Sequence, residues 1–120
     1  MDKYYTVDIA GMKRDLLRCA ISDKLDIAAF IIFGDVELTI HCAKELIKKL
    51  PEFDYIVTPE AKSIPLAYEM SRQSGKKYFV ARKKAKLYMK DPVTVNVQSI
   101  TTKGEQNLIM DSRECEQLRG

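Results

Sequence analysis

The sequence predicts an α/β protein with a parallel sheet at its centre, on three observations. Residues 55–57 and 78–80 are short apolar runs, typical of strands that are covered on both faces. Between them, residues 64–74 carry apolar side chains at helical spacing, and Gly75 follows as a C-cap. A strand, a helix and a strand in this order form a βαβ unit, whose strands are parallel and whose crossover is right-handed.

Alternating apolar side chains predict strands in the N-terminal part of the chain. Tyr5, Val7 and Ile9 alternate with polar or small residues, and residues 12–20 can return as a second strand. The mixed apolar run 25–33 predicts a third strand. The N-terminal part is therefore expected to be all β.

A helix is predicted after these strands. Asp35 is a suitable N-cap, and Pro51 lies just beyond the expected last turn. Apolar side chains at spacings of three and four predict one buried stripe, formed by Val36, Ile40, Ala43, Ile47 and Leu50. In the second helix, the side chains expected to face inward are Leu66, Ala67 and Met70.

The C-terminal part predicts a hairpin and a short helix. Val93, Val95 and Val97 alternate with polar residues, which indicates a half-buried strand. Residues 107–110 can pair back against it, and Asp111 is placed to cap a last helical stretch.

Length and composition fit one soluble globular domain over residues 1–120, with 1–33 as an N-terminal region and 34–120 as the core. Hydrophobic residues make up 46% and charged residues 31%, and the net charge is only +3, so no general polyelectrolyte role is implied. Three widely spaced cysteines without a Cys-x-x-Cys pair, together with a single histidine, predict no metal site and fit a reducing compartment. The apolar run 28–33 is too short to span a bilayer. We therefore expect a cytoplasmic protein without a membrane partner.

Two loops follow the two parallel strands, at 58–63 and 81–86, and they are expected to open on the same side of the sheet. The first runs into a helix N-terminus, where free N–H groups and the helix dipole favour an anion. The second is cationic: residues 76–90 hold seven basic residues and no acidic one. Together they predict a phosphate or pyrophosphate site formed by Ala61, Lys62, Ser63, Arg82, Lys83 and Lys86.

The residues of both loops resemble those of a known family. Residues 58–67, with the sequence TPEAKSIPLA, resemble the pyrophosphate loop and following helix of type I phosphoribosyltransferases. Residues 78–88, YFVARKKAKLY, resemble the second loop of the adenine and xanthine enzymes, in which Arg-Lys-x-x-Lys follows a strand. Residues 34–38, GDVEL, also fit this purine branch.

The resemblance implies a fold, a reaction and partners. The fold would be a partial type I phosphoribosyltransferase fold: a parallel sheet core with flanking helices, an N-terminal hood and a β-hairpin flexible loop that includes Ser99, Thr101 and Thr102. The family's glycosyltransferase reaction joins a purine base to phosphoribosyl pyrophosphate, in purine and nucleoside salvage, with Mg²⁺ bound through the pyrophosphate. The partners would be these small molecules rather than nucleic acid, and the chain would form a homodimer.

The sequence departs from the family at the ribose-phosphate motif. That motif holds two adjacent acidic residues and a Thr-Gly loop, and this sequence contains neither. We therefore expect a chain that is truncated before this motif and is inactive alone, with no catalytic residue assigned.

Three alternatives remain open at this stage. The basic residues of 76–90 can be a solvated face or can track a nucleic-acid backbone beside Tyr78, Phe79 and Tyr88. The chain can also be a non-catalytic interaction or regulatory protein on the same scaffold. Glu60, at a helix start, is expected to be a partner of the helix dipole and not a catalytic acid.

Overall fold

The computed structural model describes residues 3–98 and 104–120. Seven strands and three helices lie within this part of the chain. In chain order they are β1 (Tyr4–Ile9), β2 (Met12–Ser22), β3 (Leu25–Ala29), α1 (Val36–Lys49), β4 (Tyr55–Pro59), α2 (Ile64–Ser74), β5 (Lys77–Ala81), β6 (Val93–Val97), β7 (Gln106–Met110) and α3 (Ser112–Gln117). Ser99, Thr101 and Thr102, predicted as part of a flexible loop, lie outside the described residues.

The first three strands form an antiparallel sheet in the order β1-β2-β3. The first turn is tight because Ala10 and Gly11 both adopt positive φ angles, 52° and 80°. The third strand ends at Ala29, four residues before the predicted end at Phe33. The chain leaves the sheet there because it must turn at Gly34, whose φ is 86°, before α1 begins.

An ion pair ties this N-terminal sheet to α1. Arg14, on β2, donates from Nε to Asp35 Oδ2 at 2.7 Å and from a terminal nitrogen to Oδ1 at 3.2 Å. The same carboxylate caps α1 by accepting from the Leu38 amide at 3.1 Å, as the sequence predicts. The hydrogen bonds from Arg14 and then from Leu38 lower the pKa of Asp35. One side chain thus both starts the helix and anchors it to the sheet.

The buried face of α1 differs from the predicted stripe. Ala43 is buried as expected, but the other deeply buried side chains are Leu38 and Thr39. Val36 is 69% exposed, Leu50 44% and Ile40 38%, so their predicted burial is wrong. The helix has a wide apolar arc of which only a part is covered, and periodicity does not say which part.

The βαβ unit forms as predicted. Strands β4 and β5 are parallel, in a register that runs from Tyr55 opposite Lys77 to Pro59 opposite Ala81. Between them α2 buries Ala67 and Met70 and ends at Gly75, whose φ is 75° and whose amide donates to the Ser71 carbonyl.

Only one of the two parallel strands is deeply buried. Phe79 in β5 is 2% exposed, as a covered strand requires, whereas Tyr55 and Val57 in β4 are 40% and 51% exposed. The prediction that β4 is covered on both faces is therefore wrong for the described part of the chain. Its two exposed side chains share a face because side chains alternate along a strand.

The β6–β7 hairpin is antiparallel and joins the βαβ unit through a backbone pair. The Arg82 amide donates to the Ile109 carbonyl at 2.8 Å, and the Ile109 amide donates back at 2.7 Å. Just beyond, Asp111 caps α3 by accepting from the Arg113 amide at 2.9 Å. The Ser112 amide donates to the Lys90 carbonyl at 3.1 Å. The segment 82–90 is thus held at both of its ends.

The molecule is elongated, with principal extents of 50 × 35 × 23 Å. Its radius of gyration is 16.8 Å, whereas a compact domain of this length has about 14 Å. This shape leaves apolar side chains on the surface. None of the described helices combines the length and the apolar character needed to cross a membrane.

The first prediction concerns the core. Leu38 is 1% exposed and Leu46, on the same helix, is 39% exposed. We expect Leu38→Ala to lower the free energy of unfolding by about 2–4 kcal/mol, because it leaves a cavity. Leu46→Ala is the matched control and should cost less than about 1 kcal/mol. Urea unfolding followed by circular dichroism measures both, and equal losses would contradict the described core.

The second prediction concerns pH. Hydrogen bonds from the Arg113 side chain and amide lower the pKa of Asp111 from 3.8 to about 2. Because the folded state has the lower pKa, this carboxylate stabilises the fold above pH 4 and loses its contribution as pH falls from 4 to 2. Asp111→Asn should therefore be less stable than the unmodified chain at pH 6, and the difference should shrink towards pH 2. Thermal unfolding across this range measures it, and a difference that is constant with pH would contradict the prediction.

Candidate anion-binding site

The two predicted loops begin side by side. Pro59 and Ala81, the last residues of β4 and β5, are paired in the parallel register. The next amide, that of Glu60, donates to the Ala81 carbonyl at 2.9 Å. Both loops therefore leave the sheet at the same edge, as expected for parallel strands.

The first loop brings three backbone amides to the N-terminus of α2. Among the described residues, the amides of Ala61, Lys62 and Ser63 donate no hydrogen bond. The Glu60–Ala61 peptide bond is cis. Unpaired amides at a helix N-terminus are the donors that bind anions in many proteins.

The Ser63 hydroxyl does not cap α2. It bonds instead to the Thr58 hydroxyl and to the Pro59 carbonyl, the latter at 3.1 Å. Thr58 is 4% exposed, so this contact fixes the loop to the buried end of β4. The first helical amide, that of Ile64, donates to the Ala61 carbonyl at 3.1 Å, so the amides left for other partners are those of the loop residues that precede the helix.

The second loop presents Arg82, whose side chain is 31% exposed. Its Nε donates to Glu60 Oε1 at 3.2 Å, and one terminal nitrogen donates to the Tyr88 hydroxyl at 2.8 Å. The Lys83 amide donates to the same Glu60 oxygen at 2.9 Å. The two loops are therefore linked by one carboxylate.

The hydrogen bonds of Glu60 go to the second loop and not to the amides at the start of α2. Glu60 lies between the two loops, and the Lys83 amide, followed by Arg82 and by the charge of Lys86, lowers its pKa. Neither this contact of Glu60 nor that of Tyr88 with Arg82 is predicted from the sequence. One signal was present: Glu60 is the only acidic residue in the two loops.

The remaining predicted residues are cationic, and Lys83 and Lys86 lie near this carboxylate. Lys62 and Lys83 are exposed, whereas Lys86 is half-buried and its amide donates to Met89 Sδ at 3.4 Å. The structure thus places all six predicted residues on two adjacent loops, with Glu60 between them. Four cations and one carboxylate give this edge of the sheet a positive charge.

The two loops offer a metal ion few ligands. Glu60 is their only carboxylate and is already bonded to two donors. Over residues 3–98 and 104–120, no three His, Cys, Asp or Glu side chains lie together in a way that could hold a metal ion. Mg²⁺ at this site would therefore have to be held mainly by the oxygens of a bound diphosphate.

A search of solved structures finds a fold like this one. The structure is similar to that of adenine phosphoribosyltransferase from Thermoanaerobacter pseudethanolicus, with a TM-score of 0.62 and 17% sequence identity. The match covers 79% of this chain and 56% of the other, so this chain spans little more than half of that protein. No family model matches the sequence, and no curated protein matches it.

The similarity establishes the fold class. The chain has an α/β fold of the type I phosphoribosyltransferase kind, with a parallel strand pair and flanking helices. The shared architecture does not by itself assign an activity, because function depends on the residues of the site.

Proposed function

We propose that this chain carries the pyrophosphate-binding part of a purine phosphoribosyltransferase-like protein. One observation carries the proposal: two cationic loops leave adjacent parallel strands and are joined at their bases by Glu60. The similar structure, an adenine phosphoribosyltransferase, supports the reaction class. That name and the Arg-Lys-x-x-Lys pattern at 82–86 support a purine as the base.

The chemistry of the site suits a diphosphate leaving group. Transfer of phosphoribosyl to a base breaks the bond between the sugar and pyrophosphate, and negative charge grows on the departing oxygens. Fixed donors aimed at that charge lower the barrier electrostatically. In this role we place the amides of Ala61 and Ser63 and the side chains of Lys62 and Arg82, with Lys83 and Lys86 adding positive charge.

Mg²⁺ would neutralise part of the diphosphate charge when it is bound. The loop that closes over the site, with Ser99, Thr101 and Thr102, stays a prediction outside the described residues. The sequence contains neither adjacent acidic residues nor Thr-Gly, so we expect these residues to bind pyrophosphate without transferring phosphoribosyl. Binding is therefore the property to measure first.

Nucleic-acid binding is the main alternative. Lys83, Lys84 and Lys90 are exposed, and so is Tyr88, which favours it. Against it, Phe79 is 2% exposed and packs against Tyr55, so this aromatic ring is not available for base stacking. We therefore favour pyrophosphate over nucleic acid as the ligand of this site.

Self-association is a second candidate function, and it is compatible with pyrophosphate binding. Among the described residues β4 pairs only with β5, so its other edge is open. Tyr55 and Val57 expose apolar surface beside that edge. Open edges and apolar patches favour pairing with another chain, and we propose a homodimer formed through β4.

The third prediction tests the anion site. Arg82→Ala should weaken pyrophosphate binding by a factor of about 10 to 150, because it removes a charged donor worth roughly 1.5–3 kcal/mol. Lys62→Ala should weaken it by a smaller factor, about threefold, because an exposed charge contributes roughly 0.2–1 kcal/mol. Isothermal titration calorimetry with magnesium pyrophosphate at fixed ionic strength measures both.

The control for these variants is Lys24→Ala, at an exposed position on the β2–β3 turn. It should bind pyrophosphate like the unmodified chain. Unchanged binding in both site variants would remove the site assignment. No response to pyrophosphate, with oligonucleotide affinity that falls steeply as salt rises, would favour the nucleic-acid alternative.

The fourth prediction tests the dimer. Light scattering after size exclusion should give twice the chain mass of 13.7 kDa at micromolar concentration. Val57→Lys should shift the protein to the monomer, because it places a charge on the exposed face of β4. Val95→Lys, at a similarly exposed position on β6, is the control and should leave the mass unchanged. A monomeric unmodified chain would contradict the proposal.

A further inference from the structure

The guanidinium of Arg82 is held from two sides. On one side Glu60 Oε1 accepts from Nε at 3.2 Å, and on the other the Tyr88 hydroxyl accepts from a terminal nitrogen at 2.8 Å. The arginine backbone is also fixed, by its paired hydrogen bonds with Ile109. A side chain held at its backbone and at both ends of a planar group has little freedom to reorient.

The donors of Arg82 that remain are those an oxyanion would use. A guanidinium has five N–H groups, and two of them are bonded to Glu60 and Tyr88. The three left are all on the two terminal nitrogens, the pair of atoms that binds an oxyanion through parallel hydrogen bonds. Glu60 therefore leaves the ligand-binding end of the arginine accessible.

We propose that Glu60 and Tyr88 are positioning residues that hold the Arg82 guanidinium ready for a diphosphate. This inference rests on the proposed function and adds residues that the cationic pattern does not contain. Glu60 acts through its acceptor oxygen. This oxygen also accepts a hydrogen bond from the Lys83 amide and so holds the second loop beside the first. Its negative charge is a cost to anion binding, not the source of its effect.

The physical basis is the cost of ordering a long side chain. A free arginine loses rotamer entropy when it closes on a ligand, and a side chain ordered in advance avoids that cost. Loss of the Glu60 acceptor should therefore weaken binding, whereas loss of its charge alone should not. Glutamine separates the two effects because it keeps an acceptor oxygen and has no charge.

The first arm measures affinity for magnesium pyrophosphate. We expect Glu60→Ala to bind about fivefold more weakly. Glu60→Gln should bind as tightly as the unmodified chain or more tightly. The control is Glu45→Ala, an acidic position on α1 whose side chain is 46% exposed, and it should change nothing. Equal weakening by Gln and Ala, or normal binding by Ala, would overturn the proposal.

The second arm needs no ligand. In ¹⁵N spectra, the Arg82 Nε–H should exchange slowly with solvent in the unmodified chain and in Glu60→Gln, and rapidly in Glu60→Ala. Equal exchange rates in all three proteins would overturn the proposal. If the unmodified chain does not bind pyrophosphate, the proposed function fails. The exchange rate of the Arg82 Nε–H then shows by itself whether Glu60 orders the guanidinium.

Tyr88→Phe keeps the proposal testable if the Glu60 variants fail to fold. Tyr88 is 64% exposed, so removal of its hydroxyl should leave the fold intact. We expect affinity to fall about twofold and Arg82 Nε–H to remain protected, because Glu60 still holds it. Protection that is lost in Tyr88→Phe would overturn the assigned division of roles.

Discussion

The parallel pairing of β4 with β5 is the constraint on which the candidate site depends. Its register ends with Pro59 opposite Ala81, so the two loops start from neighbouring positions and leave the sheet in the same direction. An antiparallel pairing would send them to opposite edges, and the cations of the two loops could not then share one ligand. The helix α2 enforces the parallel arrangement, because a crossover helix between two adjacent strands of one sheet gives parallel strands. The parallel topology thus brings the two loops together, and their charges can act on one ligand only because of it.

Charge balance explains why an acidic residue lies among the cations. Four basic side chains on two short loops repel one another, and a carboxylate between them offsets part of that repulsion. The lowered pKa of Glu60 shows that its neighbours favour the ionised form, the Lys83 amide most of all. The contact also joins residues that are 22 and 23 positions apart along the chain. The Glu60 side chain therefore both offsets the repulsion between the cations and holds the two loops together.

The sequence predicts most of the elements because their signals are local. Gly75 marks the end of α2, Asp35 and Asp111 mark the starts of α1 and α3, and alternation marks β1 and β6. Burial is not local: the exposed side chains of Val36 and Val57 depend on which other elements reach them. The same holds for the site. Cationic residues are visible as a run, but the acceptor that orders Arg82 lies on another loop and is found only when the strand register is known.

The second loop is ordered by contacts at several points, and this order bears on how it would bind an anion. Its start is paired with β7 through Ile109, and the segment that continues it to residue 90 is held where the Ser112 amide and hydroxyl both donate to the Lys90 carbonyl. Near its start, Glu60 holds the Lys83 amide. A loop of lysines without such contacts would be a flexible, solvated segment that orders itself only at an entropic cost. With them, the loop keeps its backbone fixed while the side chains of Lys83 and Lys84 stay exposed. The contacts of Ile109, Lys90 and Glu60 are therefore what distinguishes this cationic segment from an ordinary basic surface.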